Sequence, residues 1–254
     1  MPYEFAVESQ DYADYASGAV FFGAPGHPAF PVRLTSEIFQ RCQQVRSAGG
    51  ATGRSVVYDP VCGAAYHLST LAYLHRGAID RIIASDVDPE ILAVARRNLS
   101  LLTLEGLDRR IREIEEMLAT YGKPSHAAAL ASAQRLREHL IRAADHEIPT
   151  RTFLADATDG AALREGLAGT QVDIVLSDIP YGQHASWQSA DPALPPPRHP
   201  IWLMLDALRP LLAPGAVVAI ASDKGQKIEH EGYRRADWFQ IGKRQVVLLQ
   251  PLPG

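Results

Sequence analysis

Asp178-Ile179-Pro180-Tyr181 follows directly on the apolar run Val172-Asp173-Ile174-Val175-Leu176-Ser177. A carboxylate, a backbone carbonyl and an aromatic ring are thereby delivered to the end of a buried strand. That set suits a reaction at a planar nitrogen. Such a nitrogen attacks an electrophilic carbon only through a free lone pair, so the site must orient the ring and accept any proton that blocks it. Asp178 and the Ile179 carbonyl can do both. Pro180 fixes φ and removes a donor, which keeps nearby carbonyls aimed outward, while Tyr181 offers a flat face on which a base stacks. Alone, the four residues read equally well as a turn after a strand, with Pro present for its dihedral and Tyr for packing.

Three upstream segments change that balance, because each is a short apolar strand that ends in an acid. Val56-Val57-Tyr58 runs into Asp59-Pro60-Val61-Cys62-Gly63-Ala64-Ala65, a strand, a small-residue turn and then a helix. Backbone N–H groups in such a turn approach a ligand closely, and the helix N-terminus favours a carboxylate. Arg81-Ile82-Ile83-Ala84-Ser85 ends in Asp86-Val87-Asp88-Pro89, about twenty residues on, where a ribose-binding acid belongs. Arg151-Thr152-Phe153-Leu154 ends in Ala155-Asp156-Ala157, placing a carboxylate where the exocyclic N–H of adenine can be received. Each acid also has a plain explanation as a turn former or helix cap, and Asp88 before Pro89 is assigned to capping. Their order, with Asp178 fourth, resembles the site of S-adenosylmethionine-dependent enzymes that methylate nitrogen through a D/N/S-P-P-Y signature. On that reading Asp59, Pro60, Cys62, Gly63, Ala65, Asp86, Val87, Asp156, Ala157 and Ser177 hold S-adenosylmethionine, and Asp178 to Tyr181 carry the chemistry. A nicotinamide dinucleotide site ranks lower, since no G-x-G-x-x-G follows the first strand.

The elements needed to position these residues are those of an α/β fold. We expect one domain over 1–254, with a Rossmann-like, mostly parallel sheet, helices on both faces and an antiparallel edge strand. An N-terminal unit over 1–54 comprises the loop Gly23-Ala24-Pro25-Gly26-His27-Pro28-Ala29-Phe30-Pro31, a helix from Val32 to Arg46 and a Gly-rich connector from Ser47 to Arg54. Phe30 and Arg33 are candidates for a lid over the cofactor, with packing the plainer role for Phe30. Pro89 to Leu102 supplies the helix expected after the second strand. Residues 104–145 are additional, and read as two helices, Gly106 to Thr120 and Ser125 to Ala144, parted by Tyr121-Gly122-Lys123-Pro124. Ile111, Ile114, Met117 and Leu118 are expected to face Leu130, Leu136, Leu140 and Ile141 in a helical hairpin, which either buttresses the sheet or clamps a macromolecular substrate. His184 and Trp187 lie beyond the tetrapeptide, ahead of a proline-rich stretch from Pro192 to Pro200. A helix from Ile201 to Leu212, a fifth strand from Ala216 to Ala221 and a closing hairpin near Phe239 to Gln250 complete the chain.

With 46% hydrophobic residues in 254, the chain can bury a full core. No apolar run is long enough to cross a bilayer, and Met1-Pro2-Tyr3-Glu4-Phe5 lacks the features of a secretory signal, so a cytoplasmic location is expected. Cys42 and Cys62 give no basis for a disulfide framework or a zinc site, and no metal is expected. The net charge of -4 argues against indiscriminate coating of nucleic acid, which needs a dense basic surface. A structured RNA stays compatible if cations gather on one face. The candidates are Arg109, Arg110 and Arg112; Arg135, Arg137 and Arg142; Lys123; and Lys224, Lys227, Arg234, Arg235, Lys243 and Arg244, each group with a solvated-surface alternative.

The chain resembles, nearly end to end, the AviRa-type avilamycin-resistance methyltransferases that act on guanine in 23S rRNA. The resemblance is carried by Ala24-Pro25-Gly26-His27-Pro28-Ala29-Phe30-Pro31-Val32-Arg33-Leu34, Glu37-Ile38-Phe39-Gln40-Arg41, Ala84-Ser85-Asp86-Val87-Asp88-Pro89, Tyr121-Gly122-Lys123-Pro124-Ser125 and Asp178-Ile179-Pro180-Tyr181-Gly182. It implies methylation at guanine N1, a 23S rRNA or large-subunit partner, and orthosomycin resistance as the outcome. The residues themselves leave N1 and N2 open, because both lie on the Watson-Crick edge. Where the family pattern has Asp-Pro-Cys-Cys-Gly-Ser-Gly, this chain ends in Ala64-Ala65; an ordinary φ at 65 and retained cofactor binding are expected. The competing readings are an enzyme for another amino acceptor, such as adenine or a glutamine amide, and a ribosome-binding module without catalysis. A monomer is expected.

Overall fold

Val57 and Tyr58 are both fully buried although neighbours on a strand point to opposite faces, so β1 (Ser55–Asp59) must be covered on both sides. The computed structural model describes residues 3–8, 10–26, 28–179 and 199–253. Among them a sheet of seven strands has the order β3-β2-β1-β4-β5-β7-β6. Its members are β2 (Ile79–Asp86), β3 (Thr150–Leu154), β4 (Val172–Asp178), β5 (Leu212–Asp223), β6 (Tyr233–Ile241) and β7 (Arg244–Pro251). β1 to β5 run parallel. The reversed strand is β7, one place in from the edge, with β6 outermost and antiparallel to it. Strand order turns back between β1 and β4, which opens a crevice at their carboxyl ends.

Helices cover both faces. On one, α1 (Val32–Ala48), α2 (Tyr66–Leu74) and α3 (Pro89–Ser100) bury Ile38, Phe39, Leu68, Leu92 and Leu99 against Val57, Ile82 and Ile174. On the other, α6 (Gly160–Leu167) and α7 (Pro200–Leu208) bury Leu163, Met204, Leu205 and Leu208 against Tyr58, Ile83, Val175 and Ile220. Each such side chain contributes about 1.5 to 3 kcal/mol when fully buried. Asp88 caps α3, accepting the Glu90 N–H at 2.8 Å, with Pro89 in the first turn. The helix α6 has no counterpart in the sequence reading, because eight residues of Gly-Ala-Ala-Leu-Arg-Glu-Gly-Leu carry little periodic signal.

The insertion forms the expected hairpin, α4 (Leu104–Tyr121) and α5 (Pro124–Arg142). Thr103 caps α4 through the Gly106 N–H at 3.1 Å, and Gly122 ends it in the left-handed region at φ 60. A Cβ at Gly106 would lie 2.0 Å from the Ser100 carbonyl oxygen, so only glycine lets α4 leave α3 at this angle. Ile114, Ala133, Leu136 and Leu140 are buried in the same core as α2 and α3, whereas Ile141 is exposed, contrary to expectation, because it falls outside the inward arc of α5. The hairpin also receives the N-terminal segment: Arg135 binds Asp14 through two nitrogens, and Tyr15 packs against Phe21 and Tyr73.

Several boundaries differ from the sequence reading: α3 ends at Ser100 rather than Leu102, and α4 and α5 span Leu104–Tyr121 and Pro124–Arg142 rather than Gly106 to Thr120 and Ser125 to Ala144. α1 continues to Ala48, two residues past Arg46. α7 stops at Leu208, since Pro210 cannot supply a helical N–H, and Arg209–Leu211 forms a single tight turn. β5 begins at Leu212 and bulges through Pro214-Gly215 between the pairs Val172 to Leu212 and Ile174 to Val217.

Candidate active site

Asp59 and Asp178 end the two strands that flank the crevice, and a set of charged groups surrounds them. Asp59 is fully buried. Its Oδ1 accepts a short hydrogen bond from Ser177 Oγ and the Val61 N–H at 3.1 Å, closing the turn that follows β1. Its Oδ2 lies 3.0 Å from His67 Nε2, and this contact acts on His67 both as a hydrogen-bond acceptor and as a charge. Burial opposes protonation of His67; the Asp59 carboxylate, the Asp178 charge and the Leu176 carbonyl outweigh it and leave His67 more basic than an ordinary histidine. His67, the second residue of α2, was not singled out in the sequence. Its only sequence signal is a histidine on an apolar helix that starts at the cofactor turn.

Asp178 is the chemically exceptional group. Its Oδ1 is buried and has no hydrogen-bond partner among the described residues. Burial pushes its carboxyl up to about 6 against the pull of Arg244 and His67, with Asp59 adding to the rise. A carboxylate in that range is ionised at neutral pH yet basic enough to take a proton, as a general base must be. The Ile179 side chain is buried and its N–H continues the sheet to Ala221 O at 3.1 Å, so only its carbonyl remains for substrate. Phe30 is buried, edge-on to His67 at 6.2 Å and under the Arg244 guanidinium at 5.4 Å. It covers this cluster. Arg33 does not reach the site: it donates to Ala6 O and Val7 O and stacks on Tyr3, pinning the N-terminal segment to α1. Pro180, Tyr181, His184 and Trp187 lie outside the described residues.

The remaining acids close the turns at the carboxyl ends of β2 and β3. Asp86 Oδ2 accepts the Gly63 N–H at 2.8 Å and Oδ1 the Asp88 N–H at 3.1 Å, tying the end of β2 to the turn after β1. Cys62 N–H reinforces this by donating to Ser85 O at 2.9 Å, and its thiol, buried and pushed well up by burial, is a packing group. Val87 exposes 40% of its surface beside Asp86, an apolar face of the kind an adenine ring covers. Asp156 Oδ1 accepts both the N–H and the hydroxyl of Thr158 at 2.8 Å, so it shapes the turn after β3, with Ala157 buried next to it. Pro60, in the turn after β1, is buried.

Ala65 overturns one expectation. It sits at φ 50, ψ 28, in the left-handed region, following Gly63 at φ 53. An ordinary φ is ruled out by the turn itself, which closes Ala65 N–H on Cys62 O at 2.8 Å and then launches α2 through Ser69 N–H to Ala65 O at 3.0 Å. For a residue with a Cβ that conformation costs about 1 to 2 kcal/mol. The methyl is fully buried, which offsets up to about 0.8 kcal/mol. Ala65→Gly should therefore raise the melting temperature by about 1 to 3 °C. Thermal denaturation checks this; a fall would show that packing of the methyl dominates.

The site fits S-adenosylmethionine. No side chain caps the N-terminus of α2 among the described residues, leaving its first N–H groups for the carboxylate of the amino-acid moiety. Asp86 is a candidate to hold the ribose and Val87 the adenine, and the Asp178 Oδ1 lacks a hydrogen-bond partner among the described residues.

The basic groups divide sharply. Arg110 is no surface cation: it is buried, donates to Val20 O at 3.0 Å and Ala19 O at 2.8 Å, and pairs with Glu113. Arg109 pairs with Glu105, Arg135 with Asp14, Arg137 with Asp108 and Lys227 with Glu229. Arg112 and Lys123 are exposed without an ion pair among the described residues, and Lys123 lies 5.7 Å from the ring of Tyr121, itself 64% exposed, at the hairpin tip. Lys224 is exposed at the carboxyl end of β5, its N–H within 3.4 Å of Lys243 O.

A parallel core in the order 3-2-1-4-5, extended by an antiparallel β7, with an acid after each of the first four strands, defines a class I S-adenosylmethionine-dependent methyltransferase. The comparisons narrow this further. The family described as rRNA methyltransferase AviRa matches residues 1–244. The 23S rRNA (guanine(2535)-N(1))-methyltransferase of Streptomyces viridochromogenes is 41% identical over 248 residues, covering 98% of this chain and 95% of that protein. Two solved structures of rRNA methyltransferase AviRa from the same organism superpose with a TM-score of 0.85, at 40% and 38% identity, covering 98% of this chain and 96% of each. The chain belongs to the AviRa family of rRNA methyltransferases.

Proposed function

We propose that this enzyme methylates N1 of a guanine in 23S rRNA, as its Streptomyces relative does, with cytoplasmic large-subunit RNA as partner and orthosomycin resistance as the consequence. The observation that carries the choice of N1 is the Asp178 carboxylate at the end of β4, whose buried Oδ1 has no hydrogen-bond partner among the described residues. The N1 lone pair becomes available only when its proton is taken, so N1 needs a base at the moment of transfer; an exocyclic amine sheds its proton after the methyl has arrived, from a strongly acidic cation that water can deprotonate. S-adenosylmethionine supplies the electrophilic methyl group. Asp178 accepts the N1 proton, the Ile179 carbonyl orients the Watson-Crick edge, and Tyr181 stacks on the ring. A paired guanine has to be turned out of its helix at a cost of a few kcal/mol, offset by about 1 to 3 kcal/mol of stacking. The test is digestion of 23S rRNA after incubation with the protein and S-adenosylmethionine, followed by mass spectrometry of the nucleosides. 1-Methylguanosine is expected; N2-methylguanosine alone, or no methylation of either naked RNA or subunits, overturns the proposal.

RNA is held, on this reading, by the unpaired cations rather than by the whole basic set. Arg112 and Lys123 lie on the hairpin and Lys224 at the crevice edge. Arg112→Ala with Lys123→Ala should lower RNA affinity and reduce the slope of log K against log salt by about 1 to 2. Arg109→Ala should change neither, since its charge is already matched by Glu105. Filter binding across a salt series measures both; an unchanged slope in the double variant returns those residues to the solvated surface.

A further inference from the structure

Asp59, His67 and Ser177 form a buried assembly that links the turn after β1 to the end of β4. Ser177 immediately precedes Asp178 on β4, and its hydroxyl is tied to Asp59 at the end of β1. His67 stands on α2, two residues past the left-handed Ala65, with one side toward Asp59 Oδ2 at 3.0 Å and its backbone-facing nitrogen toward Leu176. The imidazole is 6% exposed and shielded by the Phe30 ring. A leucine or phenylalanine would fill this volume equally well but leave Asp59 Oδ2 buried beside no cation, at a cost of several kcal/mol.

We infer that His67 is a positioning residue for the methyl transfer, which, by pairing with Asp59 across the β1–β4 junction, fixes the end of β4 and sets the pH at which Asp178 accepts a proton. The inference builds on Asp178 as the base. The charged groups facing Asp178 among the described residues are Arg244 from β7, His67 from α2 and Asp59 from β1. Those facing His67 are Asp59 and Asp178. When His67 is protonated, two carboxylates and two cations balance. Removing the imidazolium leaves Asp178 beside an uncompensated Asp59 and makes its ionised form harder to reach.

The charge and the shape of His67 are separable by experiment. His67→Gln keeps a donor of similar reach but carries no charge. In single-turnover methylation, the acid limb of the pH profile should move upward by at least about half a pH unit, with activity approaching that of the unsubstituted enzyme at high pH and S-adenosylmethionine affinity within about threefold. A uniform loss at every pH, or an unmoved limb, overturns the inference. Should that variant not fold, nitrogen-detected NMR of His67 in the unsubstituted protein and in Asp178→Asn decides instead. Coupling is reciprocal, so Asp178→Asn should lower the midpoint of His67 by at least about half a pH unit; an unchanged midpoint overturns the inference. The NMR result is independent of turnover, so it separates failure of this coupling from failure of Asp178 as the base.

Discussion

Asp178→Asn is expected to lower the single-turnover rate of guanine methylation by about 10² to 10⁴ while leaving S-adenosylmethionine affinity nearly unchanged. Asparagine keeps the shape and one acceptor oxygen but cannot take the N1 proton. The same substitution should stabilise the folded protein. The Asp178 carboxyl, ordinary in the unfolded chain, is raised to about 6 by burial in the folded one. Below the unfolded value both states carry the neutral acid and the variant gains nothing. As pH rises toward the folded value, the unfolded state ionises first and the native enzyme loses stability. Above about pH 6 the penalty is complete, and the variant should be more stable by on the order of 2 to 3 kcal/mol. Rapid-quench kinetics and denaturant titrations at pH 4 and 7.5 measure the two effects. Equal turnover in the variant refutes the assigned role; equal stability at both pH values refutes the raised carboxyl.

Asp86→Ala should have the largest effect on cofactor binding. Its carboxylate accepts the Gly63 and Asp88 N–H groups, so the substitution removes both a ribose acceptor and the tether of the turn. Hydrogen bonds to a charged acceptor contribute about 1.5 to 3 kcal/mol each, and part of the tether is recovered from solvent. A loss of about 2 to 3 kcal/mol, roughly 30- to 150-fold in Kd, is expected by calorimetry. Asp86→Asn retains an acceptor for Gly63 and should fall between. An unchanged Kd in the alanine variant would show that Asp86 only shapes the turn, as its bond to the Asp88 N–H alone would require.

The central strands β1, β2 and β4 were legible because parallel strands covered on both faces are short continuous apolar runs, whereas the edge strand β3 was legible chiefly from the acid that follows it, as one closes each of the others. The insertion was legible from its 3.6-residue period and from Gly122 and Pro124 at the turn. Local pattern carries no information on which polar groups meet across strands. Asp59, His67 and Ser177 are adjacent only because β1 pairs with β4 and α2 folds back over both. Arg110 shows the same limit from the other side: Arg109 and Arg112 near it in the chain are exposed, and its burial depends on Ala19 and Val20, some ninety residues away in sequence. Ala65 misled because alanine avoids the left-handed region on its own, and the turn closed by Cys62 and Ser69 imposes it.

A crystal structure of the enzyme with S-adenosylhomocysteine tests the central claim most directly. The account predicts the ribose on Asp86, the amino-acid end at the start of α2, and the sulfur facing the Asp178–Ile179 edge with room for a nucleobase between them. A sulfur turned away from Asp178, or a ligand seated elsewhere on the sheet, would contradict it.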